Sequence, residues 1–153
     1  MQKAKTNFFV LPPFRPTRKE KARKKEELRR KNLYDRAKNS KDALVFETFC
    51  AIEQGLPGSV HFVNESRFDP ILNNNREFDI ITKKCIIEVK SGAKPKGLTQ
   101  FLAQKRFAES RNKKHIVFAP NMLNAAKRTH ERSGIVILKD SKLLIDMIKR
   151  YDK

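Results

Sequence analysis

The sequence predicts an α/β fold, a mixed β-sheet flanked by helices and preceded by a basic, partly helical N-terminal extension. Three observations predict it. Charge is segregated: residues 15–41 hold thirteen basic and four acidic side chains, half of the net +18 carried by the 153-residue chain. Two apolar runs, Phe78–Thr82 and Cys85–Ser91, flank Lys83-Lys84 and read as a tight hairpin. Beyond it, short apolar runs alternate with segments of helical periodicity, the pattern of strands joined by right-handed crossovers and paired in parallel.

Taken in order, residues 1–40 read as a basic arm and 41–153 as one globular domain. Phe8, Phe9 and Phe14, with Pro12 and Pro13, suit an extended strip that docks on a surface groove. From about Thr17 to Arg36 the residues favour helix, but Leu28 and Leu33 are almost its only large apolar side chains. No face is then wide enough to pack firmly, so the helix is read as solvated or ordered by a partner. A plain solubilising extension is the alternative.

Asn39 or Ser40 caps a second helix, with Leu44, Val45, Phe49 and Ile52 at helical spacing and Gly55 and Pro57 at its end. Val60, Phe62 and Val63 make a short strand. The polar passage through Asp69-Pro70 and Asn73-Asn74-Asn75 reads as a long turn. After the hairpin, a loop with Gly92, Pro95 and Gly97 leads to a helix from about Leu98 to Arg111. A strand Ile116–Ala119, a helix Met122–Arg132, a strand Ile135–Leu138 and a helix Lys142–Lys149 close the order.

Composition excludes several functions. Cys50 and Cys85 are too few for a disulfide scaffold and have no CxxC or His-rich neighbourhood for zinc, so both read as small apolar core residues in a reducing, cytoplasmic setting. His61, His115 and His130 show no ligand spacing. The longest apolar stretch, Phe8–Phe14, is too short and too Pro-interrupted to span a membrane. An excess of +18 on a small chain points to a polyanion, and nucleic acid is the commonest. Arg29, Arg30 and Lys31 in the arm, and Lys94 and Lys96 in the loop, are the expected phosphate contacts; Lys113, Lys114, Lys127, Arg128 and Arg132 could extend that track.

The chemistry lies in the hairpin. Asp79 interrupts an apolar strand, and Glu88 and Lys90 interrupt the next. Residues two apart share a strand face, so Glu88 and Lys90 project together while Ile87 and Val89 point into the core. The hairpin brings Asp79 beside them. Carboxylates gathered this way are costly without a partner, and Mg²⁺, with Mn²⁺ as its substitute, accepts one or two of them and keeps its other positions for water and phosphate. Lys90 would then orient water or offset charge on the phosphate. A Glu-x-Lys pair on an ordinary half-exposed strand is the bland alternative; Asp79 at hairpin distance argues against it.

Asp79, eight intervening residues and Glu88-Val89-Lys90 resemble the bipartite motif of the PD-(D/E)XK nuclease superfamily, and the element order over about Lys41–Leu138 is similar to its restriction-endonuclease-like core. Phe78 stands where the family often has proline. The resemblance implies a Mg²⁺-dependent endonuclease acting on DNA rather than RNA. It makes Asp79 and Glu88 metal ligands, Lys90 the catalytic lysine and Glu47 a helix-borne acid that helps hold the metal. Gln100, or Gln104 one turn on, would be a site glutamine. A narrower likeness, carried by Ile87-Glu88-Val89-Lys90-Ser91-Gly92, Ile116–Pro120 and Gly134-Ile135-Val136, is to nuclease domains of polymorphic and contact-dependent toxins. That likeness implies an immunity protein as partner and a target cell's cytoplasm as the place of action. A homodimer is left open. The rival of another class is a non-catalytic nucleic-acid-binding protein whose carboxylates are structural.

Overall fold

A computed structural model describes residues 15–94 and 97–153. The apolar strip Phe8–Phe14 and the loop residues Pro95 and Lys96 lie outside the described residues. The helices are α1 (Arg18–Lys38), α2 (Ala43–Gly55), α3 (Leu98–Ser110), α4 (Asn124–Arg132) and α5 (Ser141–Tyr151). The strands are β1 (Val60–Asp69), β2 (Asn74–Thr82), β3 (Cys85–Val89), β4 (Lys114–Phe118) and β5 (Ile137–Leu138), laid side by side in chain order. β1, β2 and β3 pair antiparallel; β3, β4 and β5 pair parallel through the crossover helices α3 and α4. The chain is thus α/β with a mixed sheet, as its apolar pattern predicts.

Both faces of the sheet are covered. On one, Val45, Phe49 and Ile52 of α2 and Leu144 and Ile148 of α5 pack on Ile80, Ile87, Val89 and Ile116. On the other, Phe107 and Ala108 of α3 meet Phe78, Ile81 and Ile86, while Phe101 joins Val117, Met122 and Ile137. Burying each Ile or Phe stabilises by about 1.5–3 kcal/mol. All five residues of β3 are buried, which removes the bland alternative of an ordinary half-exposed strand.

Three expectations need correction. The polar passage after β1 is a ribbon, with β1 and β2 paired from Val60↔Thr82 out to Asp69↔Asn74. Its polar residues are partnered: Asp69 Oδ2 takes the Arg76 Nε–H at 2.8 Å, which offsets the repulsion between Arg76 and the Arg67 opposite it. Second, Asp42, not Asn39 or Ser40, caps α2, accepting from Leu44 N–H at 2.9 Å; Asn39 instead closes α1. Third, α1 does pack. Leu33 and Ala37 are buried in the main core, and Tyr34 sets its ring edge-on to Phe46 at 5.2 Å. Contact points spaced one turn apart, with Arg29, Arg30 and Arg36 bonded to the body around them, hold the C-terminal half of the helix. From Lys21 to Leu28 every side chain is exposed.

Candidate active site

β2 and β3 pair at Ile80↔Ile87 and Ile81↔Ile86, and at the next step Asp79 enters the space between the strands. There its Oδ2 accepts the Val89 N–H at 2.8 Å, taking the place of a ladder carbonyl. Glu88 stands on β3 beside it and is only 6% exposed. Its two oxygens have different partners. Oε1 lies 3.4 Å from Lys90 Nζ, and Oε2 accepts from Gln104 Nε2 at 3.0 Å. The expected grouping of Asp79, Glu88 and Lys90 is therefore present.

The electrostatics are unbalanced toward negative charge. Burial, and then the Asp79 carboxylate, push the Glu88 carboxyl up to about 8, against the pull of Lys90 and Gln104. Burial also raises Asp79, opposed by the Val89 N–H and by Lys90. Lys90 is half-buried, its ammonium 5.8 Å from the Phe101 ring centroid. One cation thus serves two sequestered carboxylates.

Behind Glu88 runs a buried relay that the sequence gives little sign of. Gln104, 1% exposed, presents its Oε1 to His115 Nε2 at 3.3 Å, and burial pushes the His115 ring down to about 4. A neutral ring with its proton on Nε2 donates to that oxygen, which turns the Gln104 amide so that its NH₂ faces Glu88. Gln104 thus holds the glutamate, while the exposed Gln100 lines the mouth of the same recess.

That recess, about 410 Å³, is walled by the α1–α2 junction from Asn39 to Asp42, by Asn64 and Glu77, and by Asp79 and Glu88. The junction is pinned to β1: Asn64 Nδ2 donates to Ser40 Oγ at 2.7 Å, and Arg36 donates to the Asn64 carbonyl at 2.8 Å. Asn64 takes a positive φ of 51°, a conformation asparagine tolerates better than most residues. Asp42 and Glu77 are the acidic residues that share the recess with the pair. Glu47 does not. It is exposed on the other side of α2, in a recess with Thr48, Pro120 and Lys139, so it is not brought to the carboxylates. Val45 occupies the inward helix position instead.

The expected phosphate contacts are dispersed. Lys94 is exposed on the loop after β3, and Lys31 is exposed on α1. Arg29 is engaged with Glu26 and with the Val60 carbonyl, and Arg30 with Glu53 at 3.3 Å, so both tie α1 to the body. Lys113 donates to the carbonyls of Thr82 and Lys83. Cys85 is buried, its thiol pushed up to about 12 by that burial, in keeping with a core role.

Two carboxylates with free oxygen lone pairs, one deeply buried, fit a hard divalent cation that takes few protein ligands and keeps water or phosphate elsewhere. Among the described residues, no group of three or more His, Cys, Asp or Glu side chains gathers to hold a metal. No family model matches the chain, and neither does any curated protein or any solved structure.

Proposed function

We propose that the chain is a metal-dependent nuclease that hydrolyses phosphodiester bonds of nucleic acid, DNA in preference to RNA, on a restriction-endonuclease-like core. One observation carries this reading: a half-buried Asp79 and a buried Glu88 converge where β2 and β3 part, with the half-buried Lys90 as the cation beside Glu88. A fold that needed only stability would gain nothing from crowding two carboxyls beside one ammonium, since ionising both there costs free energy. The donor set supports Mg²⁺, with Mn²⁺ as substitute, held by Asp79 and Glu88. When bound, such an ion polarises the phosphate and acidifies water.

The chain's own residues supply the rest. Gln104 fixes the rotation of the Glu88 carboxylate, and the Val89 N–H fixes that of Asp79. Lys90 faces the charge that grows on the phosphate as the water oxygen bonds to phosphorus and the bond to the leaving oxygen breaks. Stabilisation that exists mainly at that moment raises turnover more than binding. The net charge of +18 draws the polyanion to the surface.

The test uses plasmid, branched DNA and total tRNA, each with Mg²⁺, with Mn²⁺ and with chelator. Cleavage that needs the metal and is lost in Asp79→Ala and Lys90→Ala supports the reading. Binding that survives chelator with no cleavage on any substrate would replace it with a non-catalytic nucleic-acid-binding protein.

A further inference from the structure

A second cavity, about 570 Å³, opens on the α3 face of the sheet and shares no lining residue with the carboxylate recess. Its volume is in the range of ligand pockets, about 300–1,000 Å³. Ile81, Ile86 and Phe107 form its floor, and the exposed rings of Phe62 and Phe68 on β1 form its wall. Two guanidiniums line it, each over an aromatic face: Arg67 Cζ is 4.5 Å from the Phe62 centroid and Arg111 Cζ 5.1 Å from that of Phe107. Phe107 is backed by Phe78, stacked at 4.9 Å, so this platform is rigid.

No carboxylate lines the cavity. The acid nearest to Arg67 in an ion pair is Glu65, at 3.9 Å, and Arg111 has no ion pair among the described residues. The groove therefore offers flat apolar and guanidinium surfaces and a lining of net positive charge. Its floor lies close to the chemistry along the chain. Ile81 follows Asp79 by two residues and Ile86 precedes Glu88 by two, about 7 Å of strand in each case.

We propose that this groove holds a segment of single-stranded nucleic acid, with bases stacked on the Phe62 and Phe68 rings and the guanidinium planes, and phosphates against Arg67 and Arg111. The proposal deepens the nuclease reading by naming the form of the substrate. A duplex buries its base faces in its own stack and has nothing to lay on these rings, whereas an unpaired strand has both π-faces and charge to offer. An acidic, aromatic peptide shares part of that chemistry. Net charge favours the polyanion.

The experiment measures binding of the full chain in chelator, where cleavage is stopped. The probes are a labelled single strand carrying 2-aminopurine, the duplex of the same sequence, and a Glu–Tyr copolymer as competitor. The parent is expected to bind the single strand with a change in 2-aminopurine emission. The double variant Phe68→Ala, Arg111→Ala should bind it about tenfold more weakly or worse while its duplex affinity holds. Phe68→Leu, which keeps apolar bulk but not the flat ring, should lose the emission change with an unaltered unfolding temperature. Equal single-strand affinity in parent and variants, a parent preference for duplex, or displacement by the copolymer at lower concentration than by unlabelled strand would each overturn the groove assignment. Loss of the nuclease reading shows separately, as absence of cleavage when Mg²⁺ is restored to a parent that still binds the strand.

Discussion

Asp69 and Asp79 lie ten residues apart on the same ribbon, and they live in opposite electrostatic worlds. Asp69 meets one guanidinium at 2.8 Å and the backbone N–H groups of Ile71 and Leu72, and Arg76 holds its carboxyl below the usual range. Both oxygens have donors, and the charge is matched one to one. Asp79 instead shares a single lysine with Glu88, and burial raises both carboxyls. The first arrangement closes a turn; the second can take on its full negative charge only at a cost, which a bound cation would relieve. Burial alone does not set these two carboxylates apart. The balance of their partners does.

The contrast can be broken most sharply by deletion. Asp79→Ala, Glu88→Ala and Lys90→Ala should each lower cleavage by about 10²- to 10³-fold or more with the fold retained, whereas Asp69→Ala should leave the rate alone and lower the denaturation midpoint. Paired kinetics and denaturant melts on the four variants check this.

A smaller effect is the pH dependence of metal-free stability. Glu88 has its folded value near 8, above the ordinary 4.5, so the folded protein keeps a proton that the unfolded chain has released. That contribution is complete below about 4.5 and is lost as pH rises through 8, a change on the order of a few kcal/mol. His115 works from the acid side. Its folded value near 4 lies below the ordinary 6.5, so stability is lost as pH falls from 6.5 toward 4. Melts between pH 6.5 and 8.5 should show a falling midpoint that saturating Mg²⁺ abolishes and that Glu88→Gln lacks. Asp69→Ala should keep the fall.

Next comes the support behind Glu88. Gln104→Leu should weaken Mg²⁺ binding, read by calorimetry, by about 10- to 100-fold, because the carboxylate loses the donor that orients it. Smallest of all is Glu47→Ala: turnover and Mg²⁺ affinity should match the parent, since Glu47 faces a different recess.

The order of elements and the grouping of Asp79, Glu88 and Lys90 were legible in the sequence because apolar periodicity and strand parity are local properties. The ribbon was not, since its stability comes from cross-strand polar pairs such as Arg76 with Asp69, which no local pattern announces. Glu47 was misplaced for a related reason. Helical spacing ranks residues around α2 but does not say which flank meets the strand ends, and Val45 took the inward position. On α3 the spacing puts Gln100 and Gln104 one turn apart on one side; only the depth of the helix against Glu88 separates a buried partner from one at the recess mouth. The His115 relay depends on β4 lying parallel beside β3, with Ile86 opposite His115, a placement that only the assembled sheet provides.

The docking of α1 through Leu33 and Ala37 has an ionic consequence. The helix brings eleven basic and four acidic side chains onto a body that is itself cationic. Folding therefore concentrates like charge, and part of the hydrophobic gain at those two contacts offsets self-repulsion. Added salt shortens the reach of that repulsion, from about 10 Å at 0.1 M to about 3 Å at 1 M. The native state should accordingly grow more heat-resistant in high salt, the same condition that strips nucleic acid from its surface.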